Sequence, residues 1–143
     1  MNEELPTKFT GPSAWVSENL ANNTDSWLKT LTSQEVAELE SAAKQFLSTG
    51  KDIGELASVD FEIPELSKHL QRLKQKLLHG NGLEVIRGLP VEAYSQKLAA
   101  CIFCGIGAHL GSARSQNAKG HVLGHVRDIG EFVGSHGQNL SNL

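Results

Sequence analysis

No run of about 18 uninterrupted apolar residues, the length a membrane-crossing helix requires, occurs in the sequence. The most apolar stretch, Leu98 to Leu110, is shorter and is broken by two glycines and a histidine, which fits a buried core helix. Cysteine is scarce: Cys101 and Cys104 are the only two, too few for a disulfide framework. Met1-Asn2-Glu3-Glu4 is not a basic segment followed by an apolar one, so the cytoplasm is the expected compartment and both cysteines are expected to be thiols. The two glycosylation-type triplets, Asn22-Asn23-Thr24 and Asn139-Leu140-Ser141, carry no weight in such a chain.

A strong basic excess is also missing. The net charge of −3 divides into 12 acidic against 4 basic residues over 1–65 and 4 acidic against 9 basic over 66–143. Such a split favours packing of one half on the other, or a small anion near the second half, over a nucleic-acid partner. Lys68, Arg72 and Lys76 recur at helical spacing and are expected to form a solvated face.

Several catalytic signatures are absent as well. There is no Gly-x-Ser-x-Gly elbow and no P-loop, and Gly105-Ile106-Gly107 with Gly111 falls late in a helical pattern, where a dinucleotide fingerprint would open one. Cys101-Ile102-Phe103-Cys104 has the CxxC spacing, but it lies about two turns inside a helix and has no second cysteine pair, so two small core residues are expected. His109, His121 and His125, with Asp128, are the nearest approach to a metal set. A non-haem iron site uses two histidines and a carboxylate, commonly with a His-x-Asp or His-x-Glu pair. None of the six histidines has an acidic residue two places on. His125 and Asp128, three apart, would point to opposite faces of a regular strand. Structural histidines are the expectation.

What is present is a helical pattern with clear stops. Residues 1–30 hold Pro6, Pro12, Trp15 and Trp27 and sustain no period, which reads as an extended arm pinned by its tryptophans. Thr32-Ser33-Gln34-Glu35 is a capping box, with Leu31 and Val36 as a hydrophobic staple, and the apolar positions Val36, Leu39, Ala43, Phe46 and Leu47 predict a helix over 33–48. A second helix is predicted from Pro64, with Leu66, Leu70, Leu73, Leu77 and Leu78 turned inward and His79-Gly80 at its end. Residues 83–87 read as a buried strand, and a third helix after Ser95 is expected to bury Leu98, Ile102, Ile106 and Leu110. Gly105 and Gly107 inside it cost roughly 1 kcal/mol each against alanine, which predicts a close approach of another backbone. Residues 112–120 form a polar loop whose Arg114, Gln116, Asn117 and Lys119 suit an anion or polar substrate, or simply solvent. Residues 121–129 read as a strand with a glycine irregularity, and 131–143 as a frayed tail.

Four blocks carry a family resemblance: Gly11-Pro12-Ser13-Ala14-Trp15, Ile86-Arg87-Gly88-Leu89-Pro90, the tract from Gly105 to Gly111, and the long run from Ser115 to Asp128. Through them the sequence resembles the N-terminal part of the taurine catabolism dioxygenase (TauD/TfdA-like) family, particularly its fungal members, among the clavaminate synthase-like oxygenases. The resemblance implies an α+β fold: the first portion of a distorted double-stranded β-helix, or jelly roll, with about three flanking helices. It implies residues 31–130 as a partial domain, between the arm at 1–30 and the tail at 131–143. It further implies Fe(II) and 2-oxoglutarate as cofactors of the complete domain, and oxidation of a small-molecule substrate. No metal or cosubstrate ligand carries over; only Gln116 and Asn117 do, as residues bordering the substrate. The expected function is a dioxygenase fragment that is inactive alone, as a truncated product, an alternative transcript or a faulty gene model would be. The alternatives are a non-catalytic protein that binds a partner chain, a full-length relative or itself through its helices, and a small thiol or metal binder.

Overall fold

The computed structural model describes residues 8–124. In chain order they form α1 (Ser17–Ala21), β1 (Leu28–Thr30), α2 (Ser33–Ser48), α3 (Pro64–His79), β2 (Val85–Arg87) and α4 (Gln96–Leu110), with short 3-10 turns between them. The class is α+β and mostly helical.

α2 begins where its capping box places it. Thr32 Oγ1 accepts from the Glu35 amide at 3.2 Å, and Glu35 Oε1 accepts from the Thr32 amide at 3.4 Å. Lys29 Nζ joins the same oxygen at 2.9 Å, while Glu35 Oε2 is buried with no partner among the described residues. Burial raises the Glu35 carboxyl, but its bonds to Lys29 and Thr32 together outweigh that and hold it below its ordinary range. Thr32→Ala is therefore expected to cost about 1 kcal/mol in a urea titration, against almost nothing for the exposed Gln34→Ala. Equal losses would refute the cap.

α3 is capped from outside its own segment. Ile63 precedes it with no side-chain acceptor, and Glu38 of α2 supplies both carboxylate oxygens to the Glu65 amide at 3.1 and 3.2 Å and one to the Leu66 amide at 3.3 Å. An anion at a helix N-terminus satisfies orphan amides and the macrodipole together. The bond also fixes the approach of α2 to α3.

α2, α3 and α4 pack pairwise around a core of Leu39, Phe46, Phe61, Ile63, Leu66, Leu70 and Ile102. Cys101 is part of that core, with its thiol near the Ala43 carbonyl. Gly105 is buried under the Phe61 ring, so the close approach predicted at this glycine is real but comes from a side chain instead of a backbone. Gly107 meets nothing. His109 Nε2 donates to the Phe61 carbonyl at 2.7 Å and locks the same corner, the structural role expected of it. Leu77 and Leu78 depart from the sequence pattern: both are exposed, because no described element covers the last turn of α3. Leu98, Ile106 and Leu110 are only half-buried.

β1 and β2 run parallel, with Leu28 opposite Val85, Lys29 opposite Ile86 and Thr30 opposite Arg87. Val85 N donates to Trp27 O at 2.6 Å and Leu31 N to Arg87 O at 2.9 Å, which extends the ladder at both ends. Gly88 then turns with φ +107° against the Leu31 backbone, where a Cβ would lie 3.4 Å from Leu31 N. The arm expected to be extended instead contains α1 and ends as β1. Of its tryptophans, Trp15 ties the arm to the turn after α3, its Nε1 donating to Asn81 O at 3.0 Å, whereas Trp27 Nε1 donates within the arm, to Leu20 O at 2.8 Å. Residues 121–124 form bends where a strand was expected; the rest of that stretch and the tail lie outside the described residues.

Candidate functional site

The polar loop after α4 closes on itself. Asn117 Oδ1 accepts from the amides of Lys119 and His121, both at 3.1 Å, and Asn117 Nδ2 donates to His121 Nδ1 at 3.0 Å. Gln116 N donates to His121 O at 2.7 Å, and Gly120 makes the turn possible at φ +78°. Asn117 is thus the organiser of the turn. Gln116 is placed differently: its Nε2 donates to Arg114 O at 2.9 Å, and its side chain lines a cleft of about 740 Å³.

That cleft lies between the loop, the turns around Ile53 and Ser58, and the outer face of α4 at Phe103, Cys104 and Gly107. Arg114 and Ser58 supply polar walls, Leu56, Val122 and Leu123 apolar ones. A neighbouring cleft of about 780 Å³ shares Cys104, Val122 and Leu123 and adds Asp52, Lys97 and His121. The arrangement suits a small molecule with one anionic or polar end, since cation, amide and hydroxyl sit beside a greasy floor. Sequence reasoning indicated the loop but missed the opposite wall, which comes from residues 52–58.

The expected cysteine pair splits in role. Cys101 is core, whereas Cys104 is half-buried and borders both clefts. Burial pushes both thiols up, and Cys104 adds to the rise at Cys101, the reverse of what a redox-active or metal-binding pair needs.

Among the described residues no three His, Cys, Asp or Glu side chains gather as a metal-ligand set. His109 is spent on Phe61 and His121 on Asn117. His125 and Asp128 lie outside the described residues. The residues described therefore do not fit an iron centre.

One cluster escaped the sequence entirely. Glu84, just before β2 and almost fully buried, takes His69 Nε2 on Oε1 at 2.5 Å and Lys76 Nζ on Oε2. Lys76 also donates to Ser26 O at 2.9 Å, and Asn81 Nδ2 to the same carbonyl at 3.1 Å. Lys76, expected on a solvated face, instead ties α3 to β2 and to the arm. Burial alone would raise the Glu84 carboxyl, but hydrogen bonds and charge from His69 and Lys76 together outweigh it and hold the group below its ordinary range. His69 and Lys76 stand seven apart, two turns on one helix face, which was the available signal. Separately, Tyr94 donates to Glu40 Oε1 at 2.6 Å, and burial with this carboxylate pushes the phenol up to about 12.

No family model matches the sequence. Two curated proteins do. A taurine hydroxylase-like protein of Stachybotrys chartarum is 31% identical over 131 residues, 91% of this chain and 34% of that protein. The FR-33289 synthase of Streptomyces rubellomurinus is 28% identical over 131 residues, 92% of this chain and 38% of that protein. The class to which the first match points is that of the taurine hydroxylase-like proteins. Together they support a TauD-like family for this chain, which spans only about a third of the length of the curated relatives it matches.

Proposed function

We propose that these residues are the helical outer layer and one substrate-facing wall of an Fe(II)/2-oxoglutarate-dependent dioxygenase with a jelly-roll core, acting on a small molecule in the cytoplasm. The observation that carries the reading is the match to a taurine hydroxylase-like protein over nearly the whole chain. In the complete enzyme iron and 2-oxoglutarate supply the oxidising chemistry. The residues here contribute shape and polarity: Gln116 and Arg114 wall the cleft, Asn117 holds the loop in position, and Phe103 adds apolar surface to the lining. Residues 31–130 form the part of the domain that carries these groups, with 1–30 as its arm and 131–143 as its tail.

The 143 residues alone are proposed to be inactive, because no histidine in the sequence is followed by a carboxylate at the His-x-Asp or His-x-Glu spacing. Given ferrous iron, ascorbate and 2-oxoglutarate, the purified chain is expected to release no succinate above a protein-free control. Metal-dependent succinate would overturn the reading. A second reading, a non-catalytic chain that binds a partner, draws support from apolar side chains left open on α4, with Phe103 67% exposed.

A further inference from the structure

The turn after α3 holds the sequence's one asparagine followed by glycine, Asn81-Gly82. Asparagine is thermolabile, and a glycine after it brings no side chain to hinder attack of its amide nitrogen on the carboxamide. The reaction balances with water alone. Gly82 N bonds to Asn81 Cγ, the bond from Cγ to Nδ2 breaks, and ammonia leaves with the Gly82 amide proton. Water then opens the cyclic imide to aspartate or, with the main chain rerouted through the side chain, to isoaspartate.

In the folded chain every group this step needs is engaged. Asn81 Nδ2, the leaving nitrogen, donates to Ser26 O at 3.1 Å, and Asn81 Oδ1 accepts from the Leu83 amide at 3.5 Å. Gly82 N, the nucleophile, donates to Lys76 O at 3.3 Å, and the Asn81 carbonyl accepts from Trp15 Nε1 at 3.0 Å. The bonds with Leu83 and Lys76 are longer than the usual range, so the two of ordinary length, both made by the arm, pin the turn. Packing adds no restraint at the nucleophile. Gly82 is exposed, with nothing within 4 Å of where a Cβ would lie.

The product does not restore the seat of the arm. An aspartate at position 81 has no N–H to offer Ser26 O, and its carboxylate draws on Lys76 Nζ, which donates to the same carbonyl at 2.9 Å. Isoaspartate also displaces the oxygen that Trp15 holds. We propose that Asn81-Gly82 is a deamidation site gated by the N-terminal arm: docking of Trp15 and Ser26 protects it, release of the arm frees it to react, and the acidic product keeps the arm from docking again. A reversible opening thereby becomes a lasting one. The gate stands independently of the oxygenase reading.

The test incubates the full 143-residue chain at mildly alkaline pH and follows conversion at Asn81 by peptide mass spectrometry. Trp15→Phe keeps a ring and removes the N–H. It should convert about fivefold faster than wild type, the rise in open population that loss of one hydrogen bond brings. Asn81→Asp stands for the product, and should speed deuterium exchange of the amides of residues 15–30 by about fivefold or more. In both variants the amides of α2 should keep their wild-type protection, which separates release of the arm from unfolding of the helices. Equal conversion of wild type and Trp15→Phe would overturn the gate. Unchanged exchange over 15–30 in Asn81→Asp would overturn the lasting release, and loss of α2 protection in either variant would assign the effect to global unfolding and overturn both.

Discussion

Gly105→Ala is expected to destabilise the fold by about 3 kcal/mol, near the top of the range for overpacking a core. A Cβ at Gly105 would lie 2.5 to 2.6 Å from three atoms of the Phe61 ring, closer than real methyl contacts come. The ring cannot swing aside: Phe61 is completely buried, and its carbonyl is held by His109. Gly107, two residues on, has open space at its Cβ and should gain up to about 1 kcal/mol on the same substitution, from helix propensity alone. Urea denaturation of the two variants separates these causes. Similar changes at both positions would mean that Gly105 is not a packing glycine. The penalty should also shrink in a Phe61→Ala background, since neighbouring substitutions couple when one removes the clash the other creates.

Glu84→Gln should cost about 2 kcal/mol. Breaking a buried ion pair by removing one partner costs roughly 3–5 kcal/mol, and the figure is reduced here because His69 and Lys76 keep 21% and 26% of their side-chain surface. The carboxylate offers one oxygen to each donor; an amide offers one oxygen in all, and its NH2 group faces a second donor. The pH dependence follows from the same geometry. A carboxyl whose folded pKa lies below its ordinary value of 4.5 contributes its full stabilisation above that value, and loses it as pH falls through the folded pKa. Wild-type stability should therefore decline on acidification below about pH 4.5, and the Glu84→Gln variant should show a shallower decline. Glu35, whose carboxyl is lowered too, contributes to the remaining slope. Parallel acid profiles for wild type and variant would refute the role given to Glu84.

The parts of the fold legible in the sequence are those with local causes. The Thr32 to Glu35 box and Gly50 bracket α2 because capping is settled within four residues, and Pro64 marks the start of α3 for the same reason. What long-range contacts decide was not legible. β1 is three residues without alternation, and Leu28-Lys29-Thr30 becomes a strand only because β2 lies beside it. Leu77 and Leu78 continue the leucine pattern of α3, but periodicity says which face is apolar and not where the covering element ends. Gly105 drew attention as a costly glycine; that its neighbour is an aromatic ring from the segment before α3 is a tertiary fact. The candidate site divides the same way. The loop of Gln116 and Asn117 stood out by composition, whereas its opposite wall and the Glu84 cluster depend on segments that meet only on folding.

The central proposal is that this is a TauD-like chain that holds no iron centre by itself, and among the described residues no metal-ligand set gathers. Anaerobic equilibrium dialysis of ferrous iron against the purified, untagged chain in the presence of 2-oxoglutarate tests it most directly. The account predicts only weak, non-saturating iron, unchanged by His109→Ala and His121→Ala, because those imidazoles are engaged with Phe61 and Asn117. One tightly held ferrous ion per chain, lost on replacing either histidine, would contradict it.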